Sequence, residues 1–203
     1  MSNSEHLATV MVNAFIDAVD RGVDLVPVVA DSTSTAKIAP FMQRFPGRLV
    51  NVGIAEQTLV GAAAGLAIGG KIAVTCNAAP FLISRANEQI KVDICYNNTN
   101  VKLFGLNAGA SYGPLASTHH SIDDIAIMRG FGNIEIYAPS SPNECRQIID
   151  YALDHVGRSI SVWTGKTCRS CMTRITSLPQ ARLTSCVWAR MWRWWQWVPP
   201  YMK

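Results

Sequence analysis

The chain has 203 residues, 49% of them hydrophobic and 16% charged, a composition that supports one sizeable core and excludes a disordered main body. Its net charge of +4 is unevenly spread: residues 164–203 carry seven Lys and Arg and no acidic residue, so the body before them is mildly acidic and offers no footprint for nucleic acid. No apolar run reaches the length of a membrane span, residues 1–5 lack the basic start of an export signal, and the six scattered cysteines suit reduced thiols in a cytoplasmic protein.

From Glu5 to Val162 short apolar runs alternate with segments of helical period. That is the pattern of an α/β fold with a doubly wound, mostly parallel sheet covered by helices on both faces. In chain order the spacing predicts a helix over 6–20, a strand over 25–30, a helix over 35–45, a strand over 49–52 and a helix over 56–68. It continues with a strand over 72–75, a loop over 75–80, a helix over 81–96, a strand over 101–106 and a helix over 122–131. A strand over 134–137, a helix over 142–154 and a strand over 159–163 complete the alternation. Asp31 and Ser32 close the first strand and are placed to cap the next helix, while Pro142 sits where a first helical turn tolerates proline. After Thr164 neither period is sustained, and Trp188, Trp192, Trp194, Trp195 and Trp197 crowd together, so the chain divides into a domain over 1–163 and an irregular Trp- and Arg-rich tail over 164–203.

The residues suited to chemistry fall in a few segments. In Asn51-Val52-Gly53-Ile54-Ala55-Glu56-Gln57 an apolar strand ends in a glycine turn and a carboxylate opens the next helix, at the positive end of its dipole. Gly61, Ala62, Ala63, Ala64 and Gly65 follow and permit close packing; on spacing alone the stretch also reads as an ordinary helix-opening glutamate ahead of a buried helix. Phe81 presents an aromatic face that suits a flat heterocycle and equally suits a core. His119 and His120 are adjacent, and successive side chains on extended backbone point opposite ways, so one of the two is structural. No Cys or carboxylate cluster at ligand spacing accompanies them, which leaves a metal reading without ligands. Asp31-Ser32-Thr33-Ser34-Thr35 reads as a hydroxyl-rich cap, and the single Cys168-x-x-Cys171 spacing, lacking a second pair, as chance.

In their order along the chain these segments resemble the transketolase family. Gly53–Gln57 with the small-residue run over 60–67 resembles the cofactor-glutamate segment of transketolases and deoxyxylulose-phosphate synthases. Residues 80–90 resemble the helix after the pyrimidine-contacting aromatic, Gly113 to Ala126 the substrate-histidine segment, and residues 139–144 the next strand-to-helix turn. The resemblance covers residues 5–163 and implies the pyrimidine-type thiamine diphosphate-binding fold.

In that family the glutamate hydrogen-bonds a ring nitrogen of the aminopyrimidine and stabilises the imino tautomer, whose exocyclic nitrogen takes the proton from the thiazolium carbon. Carried over, Glu56 has that role in a dry pocket, and Ile54 and Phe81 contact the cofactor. The resemblance likewise implies that His119 meets the donor's hydroxyl or carbonyl oxygen and that Ser34 and Thr35 lie near the sugar-phosphate end of the substrate. Leu115 stands where transketolases carry an aspartate that reads a sugar hydroxyl, so the usual ketose-phosphate stereospecificity is not implied.

The family holds the cofactor's diphosphate through magnesium on a domain marked by GDG, a motif this chain does not contain. The implied activity is therefore that of one subunit of a split transketolase, moving a two-carbon ketol unit between sugar phosphates. Thiamine diphosphate would lie between this chain and a diphosphate-binding partner that holds the magnesium, in a hetero-oligomer built on a dimer, without nucleic acid or membrane as partner. A deoxyxylulose-phosphate synthase, a 2-oxoacid dehydrogenase beta-type subunit and an inactive remnant of such a subunit remain alternatives. The tail over 164–203 stands where the family has a third domain. Tryptophan codons read one base out of register become those of Val, Leu or Met followed by Gly, Ala, Val, Asp or Glu, so the tail reads as the product of a shifted frame.

Overall fold

The computed structural model describes residues 6–163. Helix α1 (Leu7–Asp20) leads into strand β1 (Leu25–Val29), followed by the short helices α2 (Thr33–Ala36) and α3 (Ala39–Arg44), strand β2 (Val50–Asn51) and helix α4 (Glu56–Ile68). Strand β3 (Ile72–Ala78) runs into a helical arm made of a π-helical turn (Phe81–Arg85), helix α5 (Asn87–Gln89) and a second π-helical stretch (Ile90–Tyr96). Strand β4 (Val101–Leu106), a 3-10 segment (Gly113–Thr118), helix α6 (Asp124–Met128), strand β5 (Glu135–Tyr137), helix α7 (Pro142–Asp154) and strand β6 (Ser159–Trp163) follow.

The six strands form one sheet in the order β2-β1-β3-β4-β6-β5, and every neighbouring pair is parallel. Its central strands are buried on both faces, as parallel strands between helical layers must be. Along β3 and β4 alternate residues serve opposite layers. Val74, Cys76, Phe104 and Leu106 join the core under α1 and α7, with Met11, Phe15, Ile149 and Leu153. Ala73, Val101 and Leu103 join the core under α4 and the helical arm, with Leu59, Val60, Leu82, Ile90 and Ile94. Phe15 meets Phe104 edge-on at 5.2 Å, and Phe104 meets Trp163 at 5.7 Å, which ties α1 to the middle of the sheet.

Three local expectations are corrected. The segment read as one helix over 35–45 is two, because Lys37 takes a left-handed conformation (φ 53°) that ends α2, and α3 then starts with Pro40 in its first turn. Residues 75–80 are not a loop: β3 continues through Ala78, pairing with Leu106, and the helical arm begins directly after it. Ser32 does not cap α2; its hydroxyl lies within hydrogen-bonding reach of the Ala30 carbonyl and of Asn77 Oδ1. Pro142 does open α7, with the Ser141 hydroxyl accepting from the Glu144 amide. The tail over 164–203, with Cys168, Cys171 and the five clustered tryptophans, lies outside the described residues. Among the described residues no helix is long and apolar enough to cross a membrane.

At the opposite end of the sheet from the strand carboxyl ends, Lys102 is fully buried, and its ammonium donates to the carbonyls of His155 (2.8 Å) and Gly157. Burial pushes this ammonium down to about 8, partly opposed by Glu135. The unfolded chain holds the same proton up to the ordinary lysine value, so between these values it binds more protons than the folded chain, and stability rises with pH. From pH 8 to 9 the Lys102 contribution should raise the unfolding free energy by about 1 kcal/mol; urea titrations of Lys102→Met across that unit should lack this increment. A second prediction concerns Ala116, which sits inside the 3-10 segment at φ 55°, ψ −152°, a region open to glycine and strained for any other residue. Ala116→Gly should stabilise the fold by about 1 kcal/mol, read as a higher thermal midpoint.

Candidate functional site

The strand order reverses between β1 and β3: from β1 the chain moves outward to β2, then returns past β1 to place β3 on its other side. Such a switch point leaves a crevice at the carboxyl ends of the strands, where open α/β sheets hold their ligands. Three segments converge there. The Asn51 side chain accepts from the amides of Asp31 (3.1 Å) and Gly53 (3.0 Å), locking the turn after β1 against the turn after β2. Gly53 needs its positive φ of 73° to make that turn, and three residues beyond it the chain enters α4 with Glu56 as its first residue.

Glu56 is 3% exposed, a depth at which a carboxylate requires partners. It has two besides the helix dipole. Asn77 Nδ2 donates to Oε1 at 3.3 Å, and Arg85 Nη1 donates to Oε2 at 2.7 Å. Asn77 comes from the end of β3 on the pleat face shared with Ala73 and Thr75, which looks toward α4. Its Oδ1 accepts the Ser32 hydroxyl, so Ser32, Asn77 and Glu56 form a hydrogen-bonded series from the end of β1 to the start of α4.

Arg85 closes the π-helical turn that Phe81 opens. Its guanidinium lies 4.7 Å from the centre of the Phe81 ring while holding Glu56, and its carbonyl accepts from Gln57 Nε2 at 3.4 Å. A π-helical turn bonds residue i to i+5, and such widened turns recur at functional sites. Gly105 helps seat this arm: a Cβ there would stand 3.0 Å from Val162 Cγ1 and 3.2 Å from Ala79 Cβ, so the bare backbone lets Ala79 pass closely over β4.

His119 arrives from the long connection after β4. Gly109 and Ser121 exchange two backbone hydrogen bonds of 2.9 Å that close this connection into a loop, and the Ala116 carbonyl accepts from the amides of both His119 and His120. The His119 ring packs edge-on with Phe81 at 5.1 Å and with Tyr112 at 5.3 Å. Thr118 Oγ1 donates its single proton to the Leu115 carbonyl (3.1 Å) and lies 2.9 Å from His119 Nδ1. The hydroxyl thus holds the Nδ1 edge of the ring, which turns Nε2 away from Thr118. His120 turns away, its Nε2 3.1 Å from the Gly113 carbonyl. The two histidines thus diverge, one toward the aromatic cluster and one into its own loop.

Glu56, Phe81 and His119 are joined through Arg85 and the Phe81 ring. Ser34 is exposed and Thr35 half-buried on α2, and Ile54 is 77% exposed beside Glu56; none of the contacts linking the other three passes through them. Asn77, Arg85 and Tyr112 contact these candidate residues although the sequence alone did not single them out, while Ser32 lay in the segment that resembles the substrate loop. Asn77 fell in the segment read as a loop, and Arg85 carried no signal of its own. Among the described residues no group of three or more His, Cys, Asp or Glu could hold a metal ion.

A buried carboxylate that Arg85 links to an aromatic face fits a flat heterocycle with ring-nitrogen hydrogen bonding, such as the aminopyrimidine half of thiamine diphosphate, and among the described residues no cluster of His, Cys, Asp or Glu could hold a cation.

Comparison with known proteins identifies the family. The family model described as "Transketolase, pyrimidine binding domain" matches residues 6–165. A subunit of the apulose-4-phosphate transketolase of Actinobacillus succinogenes is 83% identical over 157 residues, 77% of this chain and 50% of that protein. The subunit of the same name from Phocaeicola vulgatus is 39% identical over 132 residues, 65% of this chain and 42% of that one. The chain thus spans about half the length of the curated relatives it matches. Among solved structures, a split gene transketolase described as an inactive beta4 tetramer superposes with a TM-score of 0.75 at 28% identity, over 87% of this chain and 57% of that one. The match over residues 6–165, carried on a doubly wound parallel sheet, shows that this chain belongs to the transketolase family and contains its pyrimidine-binding domain.

Proposed function

We propose that this chain is the pyrimidine-binding part of one subunit of a split, thiamine diphosphate-dependent transketolase, and that Glu56 is its cofactor-activating group. The observation that carries the reading is the burial of Glu56 at the start of α4 beside the Phe81 ring, in a chain 83% identical over its matched residues to a transketolase subunit. When bound, thiamine diphosphate supplies a nucleophilic carbon that carries the two-carbon unit between sugar phosphates. Glu56 hydrogen-bonds a ring nitrogen of the aminopyrimidine, and Asn77 orients its carboxyl group from β3. Phe81 presents its face to the ring, and Ile54 shields the edge of the same pocket. His119, with Nδ1 anchored on Thr118, presents Nε2 to a donor hydroxyl or carbonyl oxygen. Ser34 and Thr35, on α2 just after β1, meet the sugar-phosphate end.

A diphosphate-binding subunit completes the site and holds the magnesium, in a hetero-oligomer built on a dimer. Ile54, Leu115 and Ile122 stand exposed on the connections that leave the carboxyl ends of the strands, an apolar rim suited to burial against that subunit. The name shared by two of the most similar relatives makes apulose 4-phosphate the first donor to assay. Leu115, on the 3-10 segment before His119, gives the donor side an apolar contact in place of a carboxylate.

The test is ketol transfer from apulose 4-phosphate by the full chain co-expressed with a diphosphate-binding transketolase subunit. Activity should require both the partner and thiamine diphosphate, and activity independent of either would overturn the reading. In that complex Glu56→Gln should lower kcat by about 100-fold or more while the thermal midpoint stays near that of the parent chain. His119→Ala should lower kcat/KM for the donor by about 10-fold or more and leave thiamine diphosphate binding intact, as calorimetric titration would show.

A further inference from the structure

Glu56 and Phe81 do not present free surfaces to an incoming heterocycle. Arg85 bonds Glu56 Oε2 at 2.7 Å and lays its guanidinium 4.7 Å from the centre of the Phe81 ring. A guanidinium is itself a flat, nitrogen-rich group whose N–H donors match a carboxylate. It makes the same pair of contacts, one carboxylate oxygen and one aromatic face, that the proposed reading assigns to the aminopyrimidine.

We propose that Arg85 is a placeholder for the aminopyrimidine, and that cofactor docking exchanges the Arg85 guanidinium for the ring. This rests on the reading of Glu56 and Phe81 given above. The two partners of Glu56 differ in their freedom to leave. Asn77 is fixed by the β3–β4 ladder, where it pairs with Gly105, and by its bond from Ser32. Arg85 has a long stem, and its side chain is 48% exposed, against 3% for Glu56. Swinging it outward returns the cation to water at little cost, while an unanswered Glu56 would be left buried as a lone charge. The exchange keeps the carboxyl group partnered in both states: by the arginine N–H while the pocket is open, and, once a cofactor and a second subunit close it, by a ring nitrogen through one proton taken up from solvent as the cation leaves. It also works against binding, since the ring must displace an existing ion pair rather than enter a vacant slot.

The test uses the full chain with its diphosphate-binding subunit, thiamine diphosphate and magnesium, titrated by calorimetry. Arg85→Met keeps the bulk and removes the charge. It should bind thiamine diphosphate about tenfold more tightly than the parent complex. The same variant alone should melt about 5 °C lower, and adding Glu56→Gln should restore most of that loss, because a neutral amide does not need the cation. Should Arg85→Met fail to fold, Arg85→Lys, which keeps the charge but lacks the flat fork, should still bind about threefold more tightly. Equal cofactor binding by the folded variant would overturn the exchange, and weaker binding would overturn it and make Arg85 a group that holds the cofactor. If the parent complex takes up no thiamine diphosphate, the reading of the site fails and the exchange fails with it. If the parent complex binds and the variant does not bind more tightly, the exchange alone fails.

Discussion

A carboxylate at the depth of Glu56 must have both oxygens answered, and the architecture around the switch point is arranged to answer them. One donor comes from the sheet and the other from the helical arm, so the site exists where β1, β3, α4 and that arm meet. The requirement reaches outward from there. Asn77 can serve Glu56 because β3 extends three residues further than its apolar run, and it is held in place because Ser32 turns its hydroxyl toward it instead of capping α2. Asn51 then locks the two turns on which Ser32 and Glu56 sit.

Around this rigid seam the remaining parts of the site are softer in a graded way. Arg85 reaches Glu56 from a half-exposed position on a π-helical turn, and the same guanidinium covers the Phe81 face. Phe81 in turn supports the His119 ring, which Tyr112 flanks on another side. The loop that carries His119 is closed by the Gly109–Ser121 pair and passes through the strained backbone of Ala116, whose carbonyl positions both histidine amides. Strain of this kind survives where the surrounding hydrogen bonds over-determine the conformation, and here it sets the divergence of His119 from His120.

A carboxylate, an aromatic face and an imidazole come together at the carboxyl ends of the strands. Under the proposed function the rest of the site comes from the subunit that holds the diphosphate. The division has a physical logic. The pyrimidine end needs a dry, preorganised carboxylate, which a doubly wound sheet provides at its switch point. The diphosphate end needs a cation and its ligands, which can be carried by a separate chain.

The alternation of apolar runs with helical periods was enough to read the α/β class, the positions of α4, α7, β4 and β6, and Glu56 at the opening of a helix, because burial of strands and helix faces leaves a local periodic trace. The resemblance in motif order pointed to Glu56, Phe81 and His119 one by one, without showing that they meet. Contacts between segments far apart in the chain leave no such trace. Asn77 and Arg85 lie 21 and 29 residues from the carboxylate they serve, and nothing in their own neighbourhoods marks them as its partners. The break between α2 and α3, the extension of β3 through Ala78 and the widening of the helical arm into π turns likewise escaped, since local propensity favours one helix, a loop and a regular helix there. What the tertiary structure alone decided was which donors answer Glu56, because desolvation of a buried charge is settled by whatever the fold brings within hydrogen-bonding reach.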